Sequence, residues 1–342
     1  MRSLTLRATA LTGVVTLALS LAACSPDSGT AGGDDGATSA ELTTIDVGYI
    51  ADFNGASLVA IADEQGLFAE HGLEVELAEF TNGPLQVQAL GTADLDFGYL
   101  GPGAMWLPAS GQAQVVAINA TGNADRVLAH PDSGIASLED LAGKKIAVAE
   151  GTSGDMIVSM ALKSVGLTPD DVELVPMDPS TIVSAFASGQ VDAAGLWYPL
   201  VDTVVAQVPE TEILAENDDF IDDVSFPSAI VARNEVVAEQ PETVEAFVAA
   251  LREANDFRYE NLDEAVAITA ERLGVDAEAA TSDAQNATYY TSAELDGFST
   301  DGTVTTWLAS LNEYFVDAGK ATETLDPEAY YQGDLFVAAG TD

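Results

Sequence analysis

The 342-residue chain has one cysteine, two histidines, and only 11 lysines and arginines against 56 aspartates and glutamates. Each scarcity removes a class of function. A formal charge of −45 leaves no clustered basic surface for phosphate backbones, so no nucleic-acid partner is expected. The lone Cys24 excludes an internal disulfide and a cysteine metal site. His71 and His130 do not stand at metal-ligand spacing, so neither a metal nor a histidine-based catalytic centre is expected. Gly-Thr-Ser-Gly at 151–154 is not a Gly-x-Ser-x-Gly elbow, and no Walker loop occurs. No cofactor and no catalytic residue is therefore assigned, and only an enzyme working through carboxylates alone escapes these exclusions. Long hydrophobic runs are also missing. The apolar stretch at 8–21 is well short of the roughly 20 residues a membrane helix needs.

What is present starts with a targeting pattern. Arg2 and Arg7 precede the apolar stretch, and Leu21-Ala22-Ala23-Cys24 follows it. This resembles the bacterial lipobox, which implies a signal peptide at 1–23, a lipid on Cys24 and an extracytoplasmic protein anchored to the cell membrane. Residues 24–44 carry the anchor and a Ser/Gly/Thr/Asp/Ala-rich tether without aromatics.

With 47% hydrophobic residues, the remainder is long enough for two modest domains. Short β-rich runs alternate with helical patterns, as in βαβ units. Strands are expected at 45–50, 73–80, 95–99 and 113–119, with helices opening at Asn54-Gly55 and Asn82-Gly83-Pro84. The order repeats, with strands at 145–149, 172–176 and 191–196 and helices opening at 151–154 and 178–181. Leu95-Asp96 answers Val191-Asp192, and both aspartates are assigned to structure. The fold class is accordingly α/β with two lobes, each a mostly parallel sheet flanked by helices, joined by a two-crossing hinge. Residues 45–128 and 226–342 form lobe 1 and 129–225 form lobe 2. Helices at 241–259, 263–273, 277–287, 303–318 and 327–337 are expected to brace lobe 1.

Four motifs carry a family resemblance: AIADEQGLFAEHGLEVE at 60–76, SLEDLAGKKIAVA at 137–149, SGQVDA at 188–193 followed by Trp197-Tyr198-Pro199, and RNEVVAEQPETVEAF at 233–247. In that order they resemble the taurine, aliphatic sulfonate and nitrate branch of periplasmic solute-binding proteins, over about residues 45–337. The resemblance implies the type II two-lobe fold and a monomer that captures a small ligand and delivers it to an ABC permease in the membrane. A sulfonate-like or zwitterionic ligand, taurine or an alkanesulfonate, is expected. An amine, an amino acid or a ligand-sensing role would use the same clamp. A pyrimidine-synthase relative on this fold would need histidine and cysteine chemistry that the chain lacks. Taurine binders of the family tend to carry an acidic residue near the returning crossing; this chain has Phe226-Pro227-Ser228 there.

In open α/β sheets ligands sit at the carboxyl ends of strands, beside helix starts. That rule selects Asp52, Asn54, Gly55, Asn82, Gly83, Tyr99 and Gly101 from the first half. From the second it selects Thr152, Ser153, Gly154, Asp155, Asp178, Trp197 and Tyr198, and Phe226 joins them at the returning crossing. Thr152, Ser153 and Gly154 suit a sulfonate-like group, because free amides at a helix start favour an anion; a plain N-cap is the other reading. Asp52, Asp155 and Asp178 either pair with a ligand amine or stabilise helix starts. Trp106 is assigned to packing.

Overall fold

The computed structural model describes residues 42–341, so the expected signal peptide, the expected lipid site at Cys24 and most of the expected tether lie outside the described residues. The chain enters along β1 (Thr43–Ile50), which is flanked on both sides and buried at Ile45 and from Val47 to Ile50. Asp52 caps α1 (Phe53–Glu64), which is buried continuously from Phe53 to Ala62. A helix apolar on every side is one covered on every side. After α2 (Leu67–Glu70) come β2 (Leu73–Phe80), α3 (Gly83–Gly91) and β3 (Phe97–Leu100). A 3-10 turn at Pro102–Ala104 and α4 (Trp106–Ala109) lead to β4 (Gln114–Gly122).

The chain then changes sheets. β5 (Asp125–Ala129) is followed by β6 (Lys145–Val148), α5 (Ser153–Ser164), β7 (Glu173–Pro176), α6 (Pro179–Ala187), β8 (Ala193–Trp197), α7 (Leu200–Gln207) and β9 (Glu212–Glu216). It returns along β10 (Pro227–Ala232) and continues through α8 (Asn234–Glu239), α9 (Pro241–Glu260), α10 (Leu262–Leu273), α11 (Ala277–Ala284), β11 (Ala287–Thr288), α12 (Ser292–Thr300), α13 (Thr303–Asp317) and α14 (Gly333–Ala338).

Two sheets result, ordered β11-β4-β10-β3-β1-β2 and β7-β6-β8-β5-β9. In each, a central strand has two parallel partners: β1 between β2 and β3, β6 between β7 and β8. The strand beyond runs the other way, β10 beside β3 and β5 beside β8. The sheets are thus mixed, not mostly parallel, because a strand arriving from the other lobe enters from the opposite end. β5 pairs only within the second sheet, so the chain leaves the first at Asn123-Ala124, ahead of the boundary at 128 expected above. The helix expected over 277–287 stops at Ala284, since Ala287 and Thr288 pair with Gly122 and Thr121 at the sheet edge.

Asp96 and Asp192 do the same work in the two lobes. Asp96 Oδ2 accepts from Asp46 N (3.1 Å) and Asp192 Oδ2 accepts from Lys145 N (2.9 Å), each tying the last loop of the unit to its central strand. Arg233 pairs with Asp96 at 2.7 Å from the start of α8.

Candidate ligand-binding cleft

The carboxyl ends of β1 and β3 in one lobe face those of β6 and β8 in the other, and a narrow cavity of about 50 Å³ lies between them. Ten expected residues line it: Asp52, Asn54, Asn82, Gly83, Tyr99 and Gly101 from the first lobe, Thr152, Ser153, Trp197 and Tyr198 from the second. Ser153 and Trp197, 44 positions apart, therefore look into one space.

The other five do not reach the wall, for identifiable reasons. Gly55 and Gly154 are packing positions: a Cβ would lie 2.6 Å from Ile50 O and from Gly195 O respectively, so each lets a helix start press on a strand. Asp155 is buried but turned back, accepting from Gly151 N (2.8 Å) and pairing with Lys320 Nζ (2.5 Å). Asp178 is an exposed cap of α6, accepting from Ser180 N and Oγ at 3.1 and 2.9 Å. Phe226 is core, 3% exposed, and its carbonyl accepts from Gly122 N (2.8 Å).

Asp125 and Ser228 line the cleft without having been singled out. Asp125 stands at the outward crossing as the first residue of β5. Its Oδ2 accepts from Asn217 Nδ2 (2.9 Å), and Asn217 Oδ1 accepts from Asp125 N (2.7 Å). Its Oδ1 is buried and has no hydrogen-bond partner. The one sequence signal was an acid opening the short run DRVLA, whose last three residues are apolar.

Charge in the wall is of one sign. Asp52 Oδ1 accepts from Gly55 N (2.6 Å), and behind it Asp283 Oδ2 accepts from Phe53 N (2.6 Å) while Asp283 Oδ1 has no partner. Burial, then the nearby Asp283, pushes the Asp52 carboxyl well above its usual range, against the Gly55 amide and the Trp197 side chain. Burial pushes Asp283 up to about 7, opposed by the Phe53 amide. Asp125 is also raised by burial, with Ser153, Asn217 and the charge of Arg126 pulling the other way.

No lysine, arginine or histidine is among the residues lining this cleft. Arg126 donates to Asn123 O (2.9 Å) and Asp125 O (2.8 Å), pairs with Glu216 (3.3 Å) and lies 5.2 Å from the centre of the Tyr198 ring. It stiffens the crossing and backs an aromatic wall. Arg258, fully buried, donates to Ser57 Oγ and Asn119 Oδ1 and covers Tyr289, whose hydroxyl reaches Asn54 Oδ1 at 3.4 Å. This is support beneath the wall, and burial lowers the guanidinium to about 10.

The lobes touch around the cleft. A Cβ on Gly103 would lie 2.3 Å from the carbonyl carbon and oxygen of Thr152 across the gap. Trp106 Nε1 donates to Gly151 O (3.3 Å), so the tryptophan assigned to packing packs against the other lobe. Tyr314 donates to Met156 O (3.3 Å), and Ser282 Oγ to Asp202 Oδ2 (2.8 Å). α13 and its following turn thus reach lobe 2 and do not brace lobe 1 alone.

Two helix-flanked α/β sheets with a polar, aromatic-walled cleft at their strand ends define a two-lobed periplasmic-binding-protein fold. The periplasmic aliphatic sulphonate-binding protein SsuA from Escherichia coli shares it with a TM-score of 0.64 at 20% identity, over 86% of this chain and 99% of that one. The desulfurization enzyme DSZB does so with a TM-score of 0.64 at 16% identity, over 87% and 98%. Residues 55–265 match the family described as NMT1/THI5 like, and the chain belongs to it. It is 52% identical to a putative binding protein of Brucella abortus (strain 2308) over 299 residues, 87% of this chain and 93% of the relative. It is 29% identical to the taurine-binding periplasmic protein of Escherichia coli (strain K12) over 193 residues, 55% of this chain and 64% of the relative.

Proposed function

We propose that this protein is the extracytoplasmic solute-binding component of an ABC importer, tethered through a lipid on Cys24 and handing a small ligand to a membrane permease. The observation that carries this reading is a single cleft lined by strand ends of both lobes, with Asp52 and Asn82 on one side and Ser153 and Trp197 on the other. Its relatives are named as binding proteins, one of them for taurine, and taurine or a related zwitterion is the ligand proposed here. The ligand satisfies groups of both walls only when the lobes are together, so binding shifts the equilibrium to the closed form that a permease reads. In this reading the chain binds without chemistry, in keeping with relatives that are named as binding proteins.

Calorimetric titration with taurine, alkanesulfonates, nitrate, amino acids and amines tests this. One class should bind saturably, and Trp197→Ala should weaken it about tenfold or more in a variant that still unfolds in one transition, at a lowered melting temperature because Trp197 is 8% exposed. Unchanged affinity in that variant would remove Trp197 from the site.

A further inference from the structure

We infer that the cleft recognises a protonated, N–H-bearing nitrogen through Asp52 and Asp125 and rejects solutes whose only charge is negative. This rests on the solute-binding reading and names the ligand class of the same site.

Three observations carry it. The wall holds two carboxylates, one from each side of the hinge, and no basic side chain. The nearest arginines are committed elsewhere, Arg126 to the crossing and Arg258 to Asn119, Ser57 and Asn255. Asp125 is 3% exposed, its Oδ1 makes no hydrogen bond, and the neighbouring Ser153 hydroxyl and Asn217 amide only partly ease its burial. A buried carboxylate oxygen without a donor is costly, and a ligand N–H placed in the cleft removes that cost. A sulfonate or nitrate in the same place would stand against two carboxylates with no basic side chain in the wall to pair with.

The unmet need is for a donor as well as a charge, so an ammonium with N–H groups fits and a quaternary ammonium does not. A zwitterion is tolerated, because α5 begins in the wall at Ser153 with no side-chain cap on its first turn. Asp52 is faced by Asp283 from α11, Asp125 from β5, Tyr99 from β3 and Tyr289 after β11. Asp202 stands beyond Asp283, and Arg258 beyond Tyr289. Acids dominate this shell, and burial raises Asp52. A cation therefore binds the ionised carboxylate: its affinity climbs with pH until the ligand amine itself deprotonates, and binding releases a proton. An anionic ligand would show the opposite slope.

The test is calorimetry of the lipid-free mature chain with matched probes: taurine, β-alanine and butylamine against ethanesulfonate, nitrate and tetramethylammonium. At least one N–H probe should bind about tenfold or more tightly than all three of the latter. Titrations in buffers of different ionisation heat should show proton release on binding. Asp125→Asn should lower that affinity about tenfold with the ligand-free melting transition retained. Should that variant fail to fold, Asp52→Asn, in which Asn can still cap α1, takes its place. Binding of ethanesulfonate or nitrate within about threefold of the best N–H probe overturns the inference, as do variants with unchanged affinity. Binding of an anion alone would leave the importer reading standing, whereas binding of no probe would sink both.

Discussion

At the corner between β1 and α1 the cap is a carboxylate, Asp52, held to Gly55 N at 2.6 Å and facing the cleft. At the matching corner between β6 and α5 stands Thr152, whose hydroxyl donates to Ala149 O (2.6 Å) and caps nothing. The acid of that second corner, Asp155, is drawn away to Lys320. Around these differences the frame repeats: Gly55 and Gly154 admit the helix start, and Asp96 and Asp192 tie the last strand to the central one. Asp52 and Thr152 are both extended (φ −132°, ψ 169° and φ −107°, ψ 178°), so the backbone scaffold of the corner recurs. The groups pointing outward are free to differ, so the first-lobe corner offers a carboxylate and the second-lobe corner a hydroxyl and helix amides.

The comparison can be broken where the corners meet. Gly103→Ala puts a methyl group against backbone on the opposite lobe, which cannot swing aside as a side chain could. The lobes must part, and ligand affinity should fall about a hundredfold, with little change in ligand-free melting. Unaltered affinity would mean that closure does not bring these segments together in solution.

A smaller effect should follow from Lys320→Met. Lys320 reaches from the turn after α13 to Asp155, whose side chain is 4% exposed, and the pair lies outside the ligand wall. Removing the cation leaves a buried carboxylate with the Gly151 amide alone. Closure should lose about 1–2 kcal/mol, read as a five- to thirtyfold weaker affinity and an open-shifted scattering profile.

The smallest concerns the acid behind the first corner. Asp283 has a folded pKa of about 7, above its unfolded value, so its contribution to stability is full below the unfolded value and lost as pH rises through about 7. The ligand-free melting temperature should fall between about pH 5 and pH 8, and Asp283→Asn should flatten that slope. A wild-type melting temperature that rises over the same interval would contradict the burial of this group in uncharged form.

Much of this was legible beforehand. The repeated strand and helix order, the helix openings at Asn54 and Ser153, and ten of the residues in the wall follow from hydrophobic periodicity and from the rule that ligands meet strand ends. α12 was not anticipated, although Thr291 and Glu294 form a capping box at its start. Asp125 was missed because the outward crossing reads as a connection until its pairing with β8 and β9 is known. Asp155 and Asp178 could not be told from ligand contacts, because an acid beside a helix start looks the same whether it faces a cleft, a lysine or solvent.

The sequence by itself determined the two-lobed α/β plan and the corners at which a ligand is met, because those depend on local periodicity and on which residues a tight turn admits. Only the tertiary structure decided which acids face the cleft, which arginines are occupied elsewhere and where the lobes touch. Those outcomes depend on contacts between residues such as Arg258 and Asn119, 139 positions apart, or Lys320 and Asp155, 165 apart, and no local pattern encodes them.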